Sequence, residues 1–256
     1  MYQSIQYIKF LLTSTNQHGV HSPFVYDLIT KCFYDKVSYP AYKSLKTYRN
    51  SLLKNSDTIQ ITDYGAGSKR FKSSKRRVGH IAKTSGTTLH RAQLLFRLAH
   101  YLKPKRSLEL GTSLGIGTQA IALGNLEGQV SSIEGSPEIA AIAAQQLQDF
   151  GIQNQQLKIG RFEEQLPQLN QQQWDLIFID GHHQKKPTLQ YFETLLPSVH
   201  NNTIMIFDDI YWSKGMTQAW ENIKQHPKVS VTIDSFFWGL VLFRKEQVKE
   251  NFKIRM

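Results

Sequence analysis

From residue 107 to 207 the chain repeats one pattern: a short apolar run, a glycine or carboxylate at its end, then a helical stretch. The runs at 107–110, 129–133, 156–159, 174–179 and 203–207 read as strands. Stretches 116–123, 137–150, 188–196 and 213–225 read as helices, with Pro137 in one first turn and Ser213 capping another. Such alternation builds a parallel sheet with helices on both faces. Right-handed crossovers place every strand's C-terminal end on one edge, where ligands bind. Gly111, Glu134 and Asp180 fall at such ends and are expected to converge. The last two strands, 229–233 and 240–243, have no helix between them and read as an antiparallel pair. The expected fold class is therefore α/β: a doubly wound, mostly parallel sheet with an antiparallel final hairpin.

The first strand runs into Glu109-Leu110-Gly111-Thr112-Ser113-Leu114-Gly115-Ile116-Gly117. Glycines after a strand let backbone approach a ligand closely, and the following helix start offers N–H groups. The spacing is not the tighter Gly-x-Gly-x-x-Gly of a dinucleotide site, and the Gly-Lys-Ser/Thr of a phosphate loop is absent. The next strand ends at Glu134, followed by Gly135, Ser136 and Pro137. An acid at that place can accept both hydroxyl protons of a ribose. Two later strands also end in acids, at Asp180 and at Asp208-Asp209. Three carboxylates at neighbouring strand ends repel one another unless neutralised. A hard divalent cation, Mg²⁺ first, would neutralise them. His183, three residues past Asp180, can take a proton from a hydroxyl near neutral pH.

In order and spacing, the segments 108–118, Glu134-x-x-Pro137, Phe178-Ile179-Asp180-Gly181 and Phe207-Asp208-Asp209 resemble the catechol O-methyltransferase-like branch of class I S-adenosylmethionine-dependent methyltransferases. The helix at 88–102 and the closing strand pair resemble it too, so the resemblance covers roughly 85–245. It implies a seven-stranded sheet and S-adenosylmethionine as cofactor. It implies that Glu109, Gly111, Thr112, Ser113, Gly115 and Gly117 line the methionine end, with Asp180 also at the cofactor. Glu134, with Gly135 and Ser136, would bind the ribose, and Gly160, Arg161 and Phe162 would flank the adenine. Asp180, Asp208 and Asp209 match the metal ligands of the metal-dependent members. Two departures stand out: Asp209 replaces the usual Asn, and His183 replaces the usual catalytic Lys.

Charge divides the chain. Residues 1–106 carry 19 Lys and Arg against 4 Asp and Glu, whereas 107–256 carry 12 against 16. A basic half suggests an anionic partner or a lysine-rich solvated surface. Residues 1–86 are expected to form an N-terminal extension, helical at 2–12 and 22–32, with 87–256 the methyltransferase domain. Within it, 65–86 reads as a basic loop hinged at Gly65, Gly67, Gly79 and Gly86, a lid that would favour an anionic acceptor. The segment 63–68 mimics a cofactor loop, but no apolar helix follows it. The extension would shape an acceptor pocket or a homodimer contact. No run approaches the roughly 18 apolar residues of a membrane span. The single cysteine, Cys32, lies in an apolar stretch and reads as core. A cytoplasmic protein is expected.

The leading functional expectation is metal-assisted methyl transfer to a hydroxylated small molecule, with Asp180 and His183 as the catalytic residues. RNA methylation is the first alternative, carried by the basic stretch 69–77 and Lys83, although Phe71 is its one aromatic. A non-catalytic nucleoside-binding protein on the same fold is the second.

Overall fold

The computed structural model describes residues 1–61 and 75–256. In chain order it forms α1 (Tyr2–Thr13), α2 (Pro23–Leu28), α3 (Ala41–Lys54), β1 (Thr58–Gln60), β2 (Lys75–Arg77), α4 (Val78–Thr84) and α5 (Leu89–Leu102). Then follow β3 (Arg106–Leu110), α6 (Ile116–Gly124), β4 (Gln129–Glu134), α7 (Pro137–Asp149), β5 (Gln155–Ile159) and α8 (Phe162–Leu169). The rest is β6 (Leu176–Ile179), α9 (Lys185–Leu195), β7 (Ile204–Asp208), α10 (Lys214–Gln225), β8 (Val231–Asp234), β9 (Trp238–Leu242) and β10 (Glu250–Lys253). Two compact units result: residues 35–165 form one, and 1–34 with 166–256 form the other. Among the described residues no helix is long and apolar enough to cross a membrane.

The unit 35–165 holds three parallel strands in the order β3-β4-β5. Helix starts there follow local chemistry. Thr88 caps α5 by accepting from the Arg91 N–H at 3.3 Å. Ser136 caps α7 with Pro137 in its first turn. Helix α3 buries Leu45, Tyr48 and Leu52, spaced three and four apart, on one face.

The other unit holds five strands in the order β10-β8-β9-β7-β6. Strands β6, β7, β8 and β9 are buried at every position; the apolar runs of β6, β7 and β9 require this, whereas β8 also buries Thr232 and Asp234. Strands β6 and β7 are parallel, whereas β9 runs antiparallel to both β7 and β8, so the reversed hairpin is present as expected. Trp174, Trp220 and Trp238 are fully buried in this unit. Cys32 is buried.

The strand count corrects the sequence reading: among the described residues the two units contribute three and five strands to the main sheet, eight rather than seven. The extra one, β10, pairs in parallel with β8, Phe252 lying beside Ile233. Its sequence Glu-Asn-Phe-Lys buries Phe252 alone, so no apolar run announces it. The loop reading of 65–86 is also corrected where residues are described. Residues 75–77 form β2, antiparallel to β1, and 78–84 form α4. Val78, Ile81 and Ala82 supply the buried face that the surrounding charges conceal. The lid's hinges Gly65 and Gly67, the segment 63–68 and the basic residues 69–74 lie outside the described residues.

Candidate active site

In the unit 35–165, the loop after β3 turns through left-handed backbone at Gly111 (φ 101°), Ser113 (φ 48°) and Gly115 (φ 78°). The Gly111 and Thr112 N–H groups donate to the Ile133 carbonyl at 3.0 and 3.1 Å, tying the loop to the end of β4. Buried Gly115 forms the cap of α6. A methyl group there would lie 2.5 Å from the Tyr48 hydroxyl oxygen, which itself donates to the Leu114 carbonyl at 2.9 Å. Gly115→Ala combines a positive φ with this clash and is expected to cost about 3 kcal/mol. Gly151→Ala, at φ +70° with nothing within 4 Å of the new methyl group, isolates the backbone term at about 1 kcal/mol. Urea unfolding of both variants checks the difference.

Glu134 joins the loop to the next helix. One carboxylate oxygen accepts from the Ser113 N–H and the other from the Ser136 N–H, each at 2.9 Å. Gly135 is half-buried, and Ser136 is buried with its hydroxyl donating to Glu138 at 2.7 Å. At the end of β5 the Gly160 N–H donates to the Glu134 carbonyl at 2.9 Å. Phe162 is buried and Arg161 exposed. The loop after β3, the Glu134 turn and the β5 end thus meet at one edge of this unit, which holds Gly111 and Glu134 of the three residues expected to converge.

Glu109 differs from a cleft-lining acid. It is 1% exposed, and one carboxyl oxygen accepts from the Thr118 hydroxyl and, at 2.5 Å, from the Ser132 hydroxyl. The Ser132 and Thr112 hydroxyls are also 2.5 Å apart. Burial pushes the Glu109 carboxyl up to about 7, against the pull of these hydroxyls and with a further push from the Glu134 charge. Glu109 therefore sits at the base of the loop within a buried hydroxyl cluster. Gly117 is buried in the first turn of α6. Sequence reasoning passed over Ser132 and Thr118, which read as ordinary strand and helix positions.

In the other unit, Asp180 follows β6 and Asp208 ends β7. Asp180, His183 and Asp208 each offer a ligand atom within 4.8 Å of the other two. The His183 Nε2 lies 3.5 Å from Asp180 Oδ1. Asp208 is 4% exposed and accepts from the Trp238 indole N–H at 2.7 Å. The turn carrying His183 is left-handed at His182 (φ 62°) and His183 (φ 39°), and His182 Nδ1 shares a 2.6 Å hydrogen bond with the buried Tyr191 hydroxyl. Asp209 (φ 51°) is not in this group; its carbonyl accepts from the Trp212 N–H at 2.8 Å as the chain turns away. Trp238 and Tyr191 are supports the sequence did not flag, because buried aromatics on a strand and a helix read as core.

Both sites pass a chemical fit. The loop residues 109–118 carry no Lys or Arg, which disfavours a phosphate and is compatible with a nucleoside bearing a cationic sulfonium. Two carboxylates and an imidazole suit a divalent ion.

Residues 108–210 match the model of a methyltransferase domain. Among solved structures, the S-adenosylhomocysteine-bound methyltransferase PaMTH1 of Podospora anserina superposes with TM-score 0.64 at 16% identity, over 88% of this chain and 97% of that one. The O-methyltransferase TomG of Streptomyces achromogenes, solved with S-adenosylmethionine, gives 0.55 at 20% identity over 62% and 82%. A Bacillus cereus O-methyltransferase in complex with S-adenosylhomocysteine gives 0.56 at 18% over 83% and 95%. No curated protein matches the chain significantly by sequence. Residues 108–210 are thus similar to a methyltransferase domain, and the fold is that of the class I methyltransferases that use S-adenosylmethionine. A further similar structure, described as a putative caffeoyl-CoA O-methyltransferase from Staphylococcus aureus, gives 0.53 at 20% identity over 60% of this chain and 82% of that one.

Proposed function

We propose that the chain transfers a methyl group from S-adenosylmethionine to an oxygen of a small hydroxylated molecule, with a divalent cation at Asp180 and Asp208. The observation that carries this reading is the gathering of Asp180, His183 and Asp208 at the ends of β6 and β7. Glu134 would accept from the ribose hydroxyls, and the loop of Gly111, Thr112, Ser113, Gly115 and Gly117 would hold the methionine end. Gly160 and Phe162, at the β5 end, would flank the adenine.

The acceptor oxygen attacks the methyl carbon, the carbon–sulfur bond breaks with its pair going to sulfur, and S-adenosylhomocysteine leaves uncharged. Alignment of the two reactants supplies most of the acceleration. When bound, a divalent cation lowers the acceptor hydroxyl's pKa and orients it. His183 removes the hydroxyl proton, and the Asp180 carboxylate beside it stabilises the imidazolium that forms. Asp208 is held in place by the Trp238 indole.

A second role for His183 is supported by the same geometry, since its ring nitrogen lies within ligand reach of the acids. A nitrogen ligand would favour Mn²⁺ or another transition ion over Mg²⁺. Calorimetric titration of Mg²⁺ and Mn²⁺ separates the roles, read beside S-adenosylhomocysteine formation with pooled hydroxylated acceptors. Asp208→Asn, which keeps an acceptor for Trp238, is expected to lose the cation. His183→Ala is expected to retain it while slowing transfer about tenfold or more. Loss of the cation in His183→Ala makes His183 a ligand. Full transfer in strong chelator, unchanged in Asp208→Asn, removes the cation from the account.

A further inference from the structure

The unit containing the acid–histidine cluster also contains a cleft of about 220 Å³. Five aromatic rings line it: Tyr7 from α1, Tyr211 and Trp212 from the chain after β7, and Phe236 and Phe237 from the turn between β8 and β9. Asp209 is the charged residue of the lining, and no Lys or Arg is among the described residues there. Tyr7, Trp212 and Phe237 are each more than two-fifths exposed, an unusual display of aromatic surface in one place. Two of the rings meet Phe236 at steep angles, Tyr7 at 67° and Phe237 at 82°. Trp212 also approaches His183, with ring centroids 6.3 Å apart.

The walls are built rather than collapsed. Phe236 holds a left-handed backbone (φ 72°), which a bulky residue adopts only when its surroundings enforce it. The Asp234 carboxylate enforces it, accepting the Phe236 N–H at 2.9 Å and the Tyr211 hydroxyl at 2.5 Å. Tyr211 in turn stacks on Phe236 at 5.1 Å. Helix α1 is fixed by the Tyr2 hydroxyl, which donates to Thr217 at 2.8 Å, and by Phe10, buried beside Phe236. The chain just past α1 is held by Thr15, whose N–H donates to the Lys253 carbonyl at 2.8 Å.

Aromatic faces attract a cation through their quadrupoles, and a carboxylate at the same place adds its charge. From this lining we infer that the cleft binds an organic cation, a protonated or quaternary amine carried on a flat apolar group, and that this is the non-reacting part of the acceptor. The second half of the inference rests on the proposed methyl transfer. It reverses the anionic acceptor expected from the basic segment, and it gives α1 a role in acceptor choice.

The test uses the full chain and three probes of matched shape: phenyltrimethylammonium, tert-butylbenzene and benzenesulfonate. Quenching of tryptophan fluorescence reads binding, with S-adenosylhomocysteine titrated in parallel. The cation is expected to bind at least about tenfold more tightly than its neutral isostere, with the sulfonate weakest. Asp209→Asn, well tolerated because Asn accepts the left-handed backbone that Asp209 occupies, should reduce that preference about fivefold. Trp212→Ala should abolish the quench. Equal binding of the neutral probe, or preference for the sulfonate, overturns the inference. Cation preference without S-adenosylhomocysteine binding overturns the methyltransferase reading and leaves the amine site standing. The opposite pattern does the reverse.

Discussion

Replacing Glu134 by alanine is expected to weaken S-adenosylhomocysteine binding about a thousandfold. The carboxylate has two tasks. Its two oxygens accept from the Ser113 and Ser136 N–H groups, so the glycine loop and the start of α7 take their places from it. In the complex it would receive the ribose hydroxyls. Hydrogen bonds to a charged group contribute about 1.5–3 kcal/mol each, and losing two gives roughly three orders of magnitude in affinity. Glu134→Gln keeps one acceptor and should fall between. Equilibrium dialysis measures both variants. Wild-type affinity in the alanine variant would remove Glu134 from the ribose site.

The second large effect is on stability. Glu109 is fully buried, and its carboxyl is pushed up to about 7 by burial. In the unfolded chain the same group titrates near 4.3. Between these values the folded protein holds a proton that the unfolded chain releases, so this group's stabilising contribution is present at low pH. That contribution is lost as pH rises through the window, by about 3 kcal/mol across it. Glu109→Gln has the same shape and no proton to lose. Its stability relative to the wild type should therefore rise by about 3 kcal/mol between pH 5 and pH 8. Denaturant unfolding at several pH values reads this directly. A difference independent of pH would show that Glu109 stays ionised despite its burial.

The parts of the fold that depend on apolar periodicity were legible in the residues. The runs Leu-Ile-Phe-Ile and Ile-Met-Ile-Phe-Asp are buried strands, the Pro137 and Ser213 helix starts lie where their chemistry puts them, and the final pair is antiparallel. Strand β10 was not legible, because one apolar residue among polar neighbours has no period. Helix α4 was hidden because Val78, Ile81 and Ala82 are short and adjoin a run of cations. The loop proposed to hold the cofactor was singled out through its glycines and the acid 23 positions beyond Gly111. The work of Ser132, Thr118 and Trp238 was not, since a hydroxyl or an indole shows its partner only when distant segments meet. The aromatic cleft depends on three segments spread from Gln3 to Phe237, a separation that no local pattern spans.

The cofactor claim is tested most directly by calorimetric titration of S-adenosylhomocysteine into the wild-type chain. The account predicts saturable one-to-one binding. A folded protein that takes up no S-adenosylhomocysteine would contradict it and leave a class I fold put to another use.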